Sequence, residues 1–169
     1  MRVMRSLRGA LIASAVASCA FALTTTTAGN QSREAYRLLK DIRADAQQVA
    51  YYSAGLKDMV VHPQMDARIE ARQLNRIRYE INDMGRRLQQ FDAIQAALPP
   101  LERNDVLRVT PLVKHMAGNA DAAIGYVNAH PGEVWVRSYL NDVQNLYSEA
   151  NVTARRVKSA EDIAKAGLF

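Results

Sequence analysis

Residues 74–98 read LNRIRYEINDMGRRLQQFDAIQAAL. Leu74, Ile77, Ile81, Met84, Leu88 and Phe91 follow one another at steps of three and four. Leu98 closes the series beyond Ile94 and Gln95. At 3.6 residues per turn, side chains at those steps share one narrow seam of an α-helix. Arginines, acids and amides occupy the rest of the surface, from Arg76 through Asp83 to Gln90. The stretch therefore predicts a long helix that turns one apolar edge toward partner helices.

The same rhythm recurs on both sides of it. His62-Pro63, Pro99-Pro100 and His130-Pro131-Gly132 interrupt the chain, and proline ends helices because it lacks the backbone N–H and restricts the preceding residue. The first segment carries Ala35, Leu39, Ile42, Ala46, Val49, Ser53, Leu56 and Val60 in register. A third runs Val106, Val109, Val113, Met116, Ala120, Ala123, Val127, and a fourth runs Val136, Leu140, Val143, Tyr147, Ala150, Ala154, Val157. Alternation of period two is nowhere sustained, so no strand is expected.

Segments of about 30 residues make helices about 45 Å long, and short connections force neighbours to run antiparallel. The expected fold is all-α: an up-down-up-down antiparallel four-helix bundle forming one domain over residues 29–169. Its helices are expected near 31–61, 63–98, 101–129 and 133–166. A pair of long hairpins that completes its core as a homodimer is the rival. Pro111 falls inside the third segment, yet the seam keeps its register from Val109 to Val113. A kinked or briefly interrupted helix is therefore expected there.

Residues 1–28 stand apart. Arg2, Arg5 and Arg8 precede an uncharged apolar run from Leu11 to Leu23, then a small, polar tail from Thr24 to Ala28. This is the layout of a cleavable secretory signal peptide, and the run is shorter than the ~20 residues a membrane-spanning helix needs. Thr26-Thr27-Ala28 offers an ordinary cut site. Val16-Ala17-Ser18-Cys19 resembles a bacterial lipobox, so lipidation of Cys19 is the alternative. The protein is thus expected to be exported, periplasmic or extracellular, and lipid-anchored in the second case. Cys19 is the only cysteine, so cleavage at Ala28 would leave no thiol or disulfide chemistry.

Charge narrows the partners. The whole chain carries 22 Lys and Arg against 17 Asp and Glu. Three of the arginines and none of the acids lie in residues 1–28, which leaves 19 against 17 and a net charge of +2. A mildly positive exported protein gives no support to nucleic acid as a partner. No nucleophile motif, phosphate-cradling glycine loop, zinc-protease signature, Cys-x-x-Cys-His or Glu-x-x-His occurs. No catalytic residue and no enzymatic activity are expected.

Three constellations remain. Arg68, Arg72 and Arg76 recur every four residues with Arg78 nearby, and like charges at that spacing cost a helix a few tenths of a kcal/mol each. An anionic partner would relieve them; the plainer account is pairing with Glu70, Glu80 or acids of a neighbouring helix. Gly118, Ala122, Gly125 and Ala129 form a small-residue strip opposite the third seam. Glycine there costs ~1 kcal/mol against alanine, so the strip suits close approach of another helix or subunit, or is simply tolerated. His62 and His130 each precede a proline, with Met59 and Met65 three residues on either side of His62. Imidazole with thioether suits copper or haem iron, whereas the plainer account is a histidine on the negative end of a helix dipole.

The reading that follows is an exported, non-enzymatic helical bundle of the cell envelope. It binds an envelope protein or an anionic polymer or lipid through Arg68, Arg72 and Arg76 or through Gly118, Ala122, Gly125 and Ala129, and needs no cofactor. The alternative is a haem- or copper-binding bundle for electron transfer or metal handling, built on His62, His130, Met59 and Met65.

Overall fold

A computed structural model describes residues 17–61, 67–98, 100–130 and 136–166. Every regular element among them is helical. Helix α1 spans Ala17–Val61, α2 Ala67–Ile94, α3 Pro100–Leu107, α4 Thr110–Ala129 and α5 Arg137–Ala166, with a single 3-10 turn at Gln95–Ala97 after α2. The four longest helices close a ring. α1 packs against α2 and α5, α4 packs against α5 and α2, and α3 leans on α5.

The quoted stretch behaves as its spacing dictates. Leu74, Ile77, Ile81, Met84, Leu88, Phe91 and Leu98 are all buried. Ala35, Leu39, Ile42, Ala46, Val49, Ser53 and Leu56 of α1 meet them from one side, and Val113, Met116, Ala120, Ala123 and Val127 of α4 from the other. Each large side chain withdrawn from water contributes roughly 1.5–3 kcal/mol, which is what holds helices of this length together.

Residue pairs across the seams fix how neighbours lie. Asp45 meets Arg87, Tyr52 meets Arg76 and Gly55 lies beside Gln73 on α1 and α2. Arg43 meets Glu161 and Lys57 meets Tyr147 on α1 and α5. Asn119 meets Glu149 and Tyr126 meets Tyr139 on α4 and α5. In each set the residue number falls on one helix as it rises on the other.

Helix α1 and the fourth seam differ from the expected course, and the third segment shows the brief interruption expected of it. Helix α1 is continuous from Ala17, so part of the segment expected to be a signal shares a helix with the bundle. The third segment divides into α3 and α4 at Arg108–Val109, just ahead of Pro111. Proline is tolerated in a first helical turn, where its missing N–H has no intrahelical partner to lose. The seam survives the break, because Val109 N–H donates to the Val106 carbonyl (2.9 Å) and Val113 N–H to the Val109 carbonyl (3.1 Å). Val106, Val109 and Val113 are all buried.

The fourth seam keeps Val143, Ala150 and Val157 inward as expected and shifts by one residue at the positions between them. Tyr139, Val143, Leu146, Ala150, Thr153, Val157, Ala160 and Ala164 face inward, while Leu140, Tyr147 and Ala154 sit at the boundary. Both lines have helical spacing. Tyr139 wins the interior by packing on Tyr126 (5.8 Å between ring centres), and Tyr147 stays at the rim under the Lys57 ammonium at 4.7 Å. Among the described residues no helix is long and apolar enough to cross a membrane.

Candidate functional site

Helix α2 places its arginines on the surface. Arg68, Arg72 and Arg76 are exposed, and so is Arg78 on the side toward α4. Arg72 Nε donates to the Arg68 carbonyl at 3.2 Å. The Arg76 guanidinium lies over the Tyr52 ring, 5.6 Å from its centre, and Tyr52 in turn meets Tyr51 edge to face at 5.5 Å. The acids expected to neutralise this ladder are occupied elsewhere. Glu70 is buried, and Glu80 is half-buried beside Asp83 and Arg87. Among the described residues Arg72, Arg76 and Arg78 form no ion pair.

Helix α4 is built differently. Gly118, Ala122, Gly125 and Ala129 are exposed, and a methyl group placed on Gly118 or Gly125 would meet nothing within 4 Å. Beside this strip runs the α2–α4 seam, which holds two shallow cavities of about 210 and 340 Å³. Leu74, Ile124 and Val127 line the first, Ile81, Ala117 and Ala120 line the second, and Arg78 borders both. At the second cavity the α4 side chains are alanines, too short to fill the space beside Ile81.

The histidine and methionine positions are only partly described. His62 and Met65 lie outside the described residues. Met59 is buried at the end of α1. His130 follows the last turn of α4, where its N–H donates to the Tyr126 carbonyl at 2.9 Å and its ring stacks on Tyr126 at 4.6 Å. His115 is exposed, 3.7 Å from Glu149. Among the described residues no three or more His, Cys, Asp or Glu side chains converge to hold a metal ion. Cys19 falls within the backbone course of α1.

The seam spacing left the buried charges unseen. Arg87 contacts Asp45 and lies 3.7 Å from Asp83 and 3.9 Å from Asp41. Burial pushes the Asp45 carboxyl up to about 7. Arg87 opposes the rise, but it is shared among three carboxylates, and Glu80, Asp83 and Asp41 add repulsion. Glu70, also raised by burial, interacts with the hydroxyl of Tyr139. That hydroxyl has no well-formed hydrogen bond, and neither do the buried Ser53 Oγ, Gln73 Oε1 and Thr153 Oγ1. Asp41 and Asp45, like Asp83 and Arg87, stand four residues apart. That spacing was the one available hint of paired charged stripes on facing helices.

No protein-family model, curated protein or solved structure matches the chain.

Proposed function

We propose that this chain is an exported, non-enzymatic protein of the cell envelope that binds another macromolecule through its outer faces. In this reading residues 1–28 direct export and are removed, and the remainder is an up-down-up-down antiparallel four-helix bundle. The falling and rising residue numbers across three seams support that topology.

The observation that carries the binding role is the bare face of α4. Four small residues in helical register lie exposed, beside a seam whose cavities are lined by apolar and polar side chains together. Glycine in the middle of a helix forfeits stability and fills nothing here, so its benefit lies in letting another surface approach the helix axis closely. A helix of an envelope protein, or of a second copy, fits such a face.

Gly118→Leu tests this. The side chain enters open space, so melting should stay the same or rise by up to ~1 kcal/mol. Association of the purified protein, read by cross-linking in envelope extract and by light scattering, should be lost. Unchanged association with unchanged melting would remove α4 as the contact face.

A further inference from the structure

We infer that the outer α1–α2 face binds a linear polyanion made of sugars, a polysaccharide bearing carboxylate groups. This rests on the reading of the chain as a surface binder and concerns a face separate from the α4 strip.

The first support is geometric. Arg68, Arg72 and Arg76 stand at steps of four residues, so their origins are about 6 Å apart along a rigid helix and the row spans about 12 Å. Two of these guanidiniums are held in place without a carboxylate. Arg72 is tethered through Nε to the Arg68 carbonyl, which leaves its terminal nitrogens directed outward. The Arg76 guanidinium carbon lies over the Tyr52 ring at 5.6 Å from its centre, a contact that commits none of its N–H groups to an oxygen acceptor. A guanidinium ordered in advance loses less freedom when it takes a carboxylate, and it can do so through two parallel hydrogen bonds.

The second support is charge. Farther along the same pair of helices Arg37 is matched with Glu34, Arg86 with Asp83, and Arg87 with Asp45. Around Arg72 and Arg76 no such match exists among the described residues. A ligand that follows this face would find positive potential concentrated at one end.

The third support separates sugar from lipid. Tyr51 and Tyr79 are 71% and 62% exposed, and they are two of the three large apolar side chains exposed among the described residues. A phenol offers a flat apolar face and a hydroxyl, which suits the C–H faces and hydroxyls of a sugar ring. A lipid surface draws on inserted aliphatic side chains, and the exposed one, Leu107, belongs to α3.

The test uses the full chain with polygalacturonate as probe, dextran as the neutral control and phosphatidylglycerol vesicles as the lipid arm. Binding to polygalacturonate and not to dextran is expected at low ionic strength, weakening as salt screens it. Arg72→Glu with Arg76→Glu should weaken binding about tenfold or more, and Tyr79→Ala about threefold, with the helical circular-dichroism signal of both variants retained. Arg155→Glu with Arg156→Glu makes the same change of net charge on exposed positions of α5, and should leave binding as it was. Three results would overturn the inference: no affinity for polygalacturonate, an equal loss in the α5 variant, or a preference for vesicles over polymer. The Gly118→Leu experiment bears on α4 alone, so the two readings fail separately.

Discussion

Helix α2 has two neighbours, and the two seams it makes are opposites. Toward α1 it is bolted: Arg87 reaches Asp45, Arg76 rests on Tyr52, and Gln73 lies close against Gly55. Toward α4 it is unbolted: alanines stand opposite Ile81 and Arg78 forms no ion pair among the described residues, while cavities open on both flanks, one of about 210 Å³ beside Arg87 on the α1 side included. Both seams draw on the same apolar row, from Leu74 to Phe91. What separates them is the chemistry that the neighbour supplies. α1 offers a carboxylate to Arg87 and an aromatic ring to Arg76, whereas α4 offers Ala117, Ala120, Ile124 and Val127, which pack but do not pair. One helix can thus be bolted on one flank and merely packed on the other.

The contrast is broken most directly by exchanging arginine for alanine on each flank. Arg87→Ala strands Asp45 in a largely buried position and should cost about 2–3 kcal/mol above pH 7. Arg78→Ala removes a solvated group and should stay within about 0.5 kcal/mol. Urea melts of the two variants would measure the difference, and equal losses would mean that the flanks are not distinct.

A pH series sharpens the same point. The folded Asp45 carboxyl titrates near 7, far above the ordinary carboxylate value near 3.8, so the folded chain holds a proton that the unfolded chain has released. That contribution to stability is full below about pH 4 and is lost as pH rises through 7. Asp45→Asn should flatten the decline over this window. It should also shrink the penalty of Arg87→Ala at high pH, because no bare carboxylate would be left behind. A decline of the same slope in Asp45→Asn would assign the effect to another group.

The smallest effect has the opposite sign and belongs to the unbolted flank. Gly125→Ala places a methyl group in open space on a helix, and should raise stability by up to ~1 kcal/mol. Thermal melts would show this as a small upward shift. A loss instead would mean that α4 is already covered.

Much of the architecture was legible in the sequence. Period and punctuation are local properties, and they located the long helices, the inward row of α2 and the inward row of α4. The break at Arg108–Val109 was signalled by Pro111, although its placement depended on which turn could best do without an N–H. Val143, Ala150 and Val157 of the fourth seam were placed correctly, but Tyr139, Leu146 and Thr153 are buried where Leu140, Tyr147 and Ala154 were expected, because steps of three and of four are equally helical. Only contact with Tyr126 and Lys57 distinguishes Tyr139 from Tyr147. Of the candidate site, the exposure of Arg68, Arg72, Arg76 and the α4 strip followed from their phase relative to the seams. Whether acids would cancel the arginines did not, since the burial of Glu70 against Tyr139 depends on a contact between α2 and α5.

Taken by itself, the sequence determined that the chain is helical, where its long rods end to within a few residues, and which edge of most rods is apolar. Those outcomes depend on backbone hydrogen bonding and on a 3.6-residue period, both written in consecutive residues. The tertiary structure alone decided which charges are buried together, which residues of α5 face inward and which flank of α2 is bolted. Those depend on distances between residues far apart in the chain, where one side chain meets either a partner it can pair with or one it can only pack against.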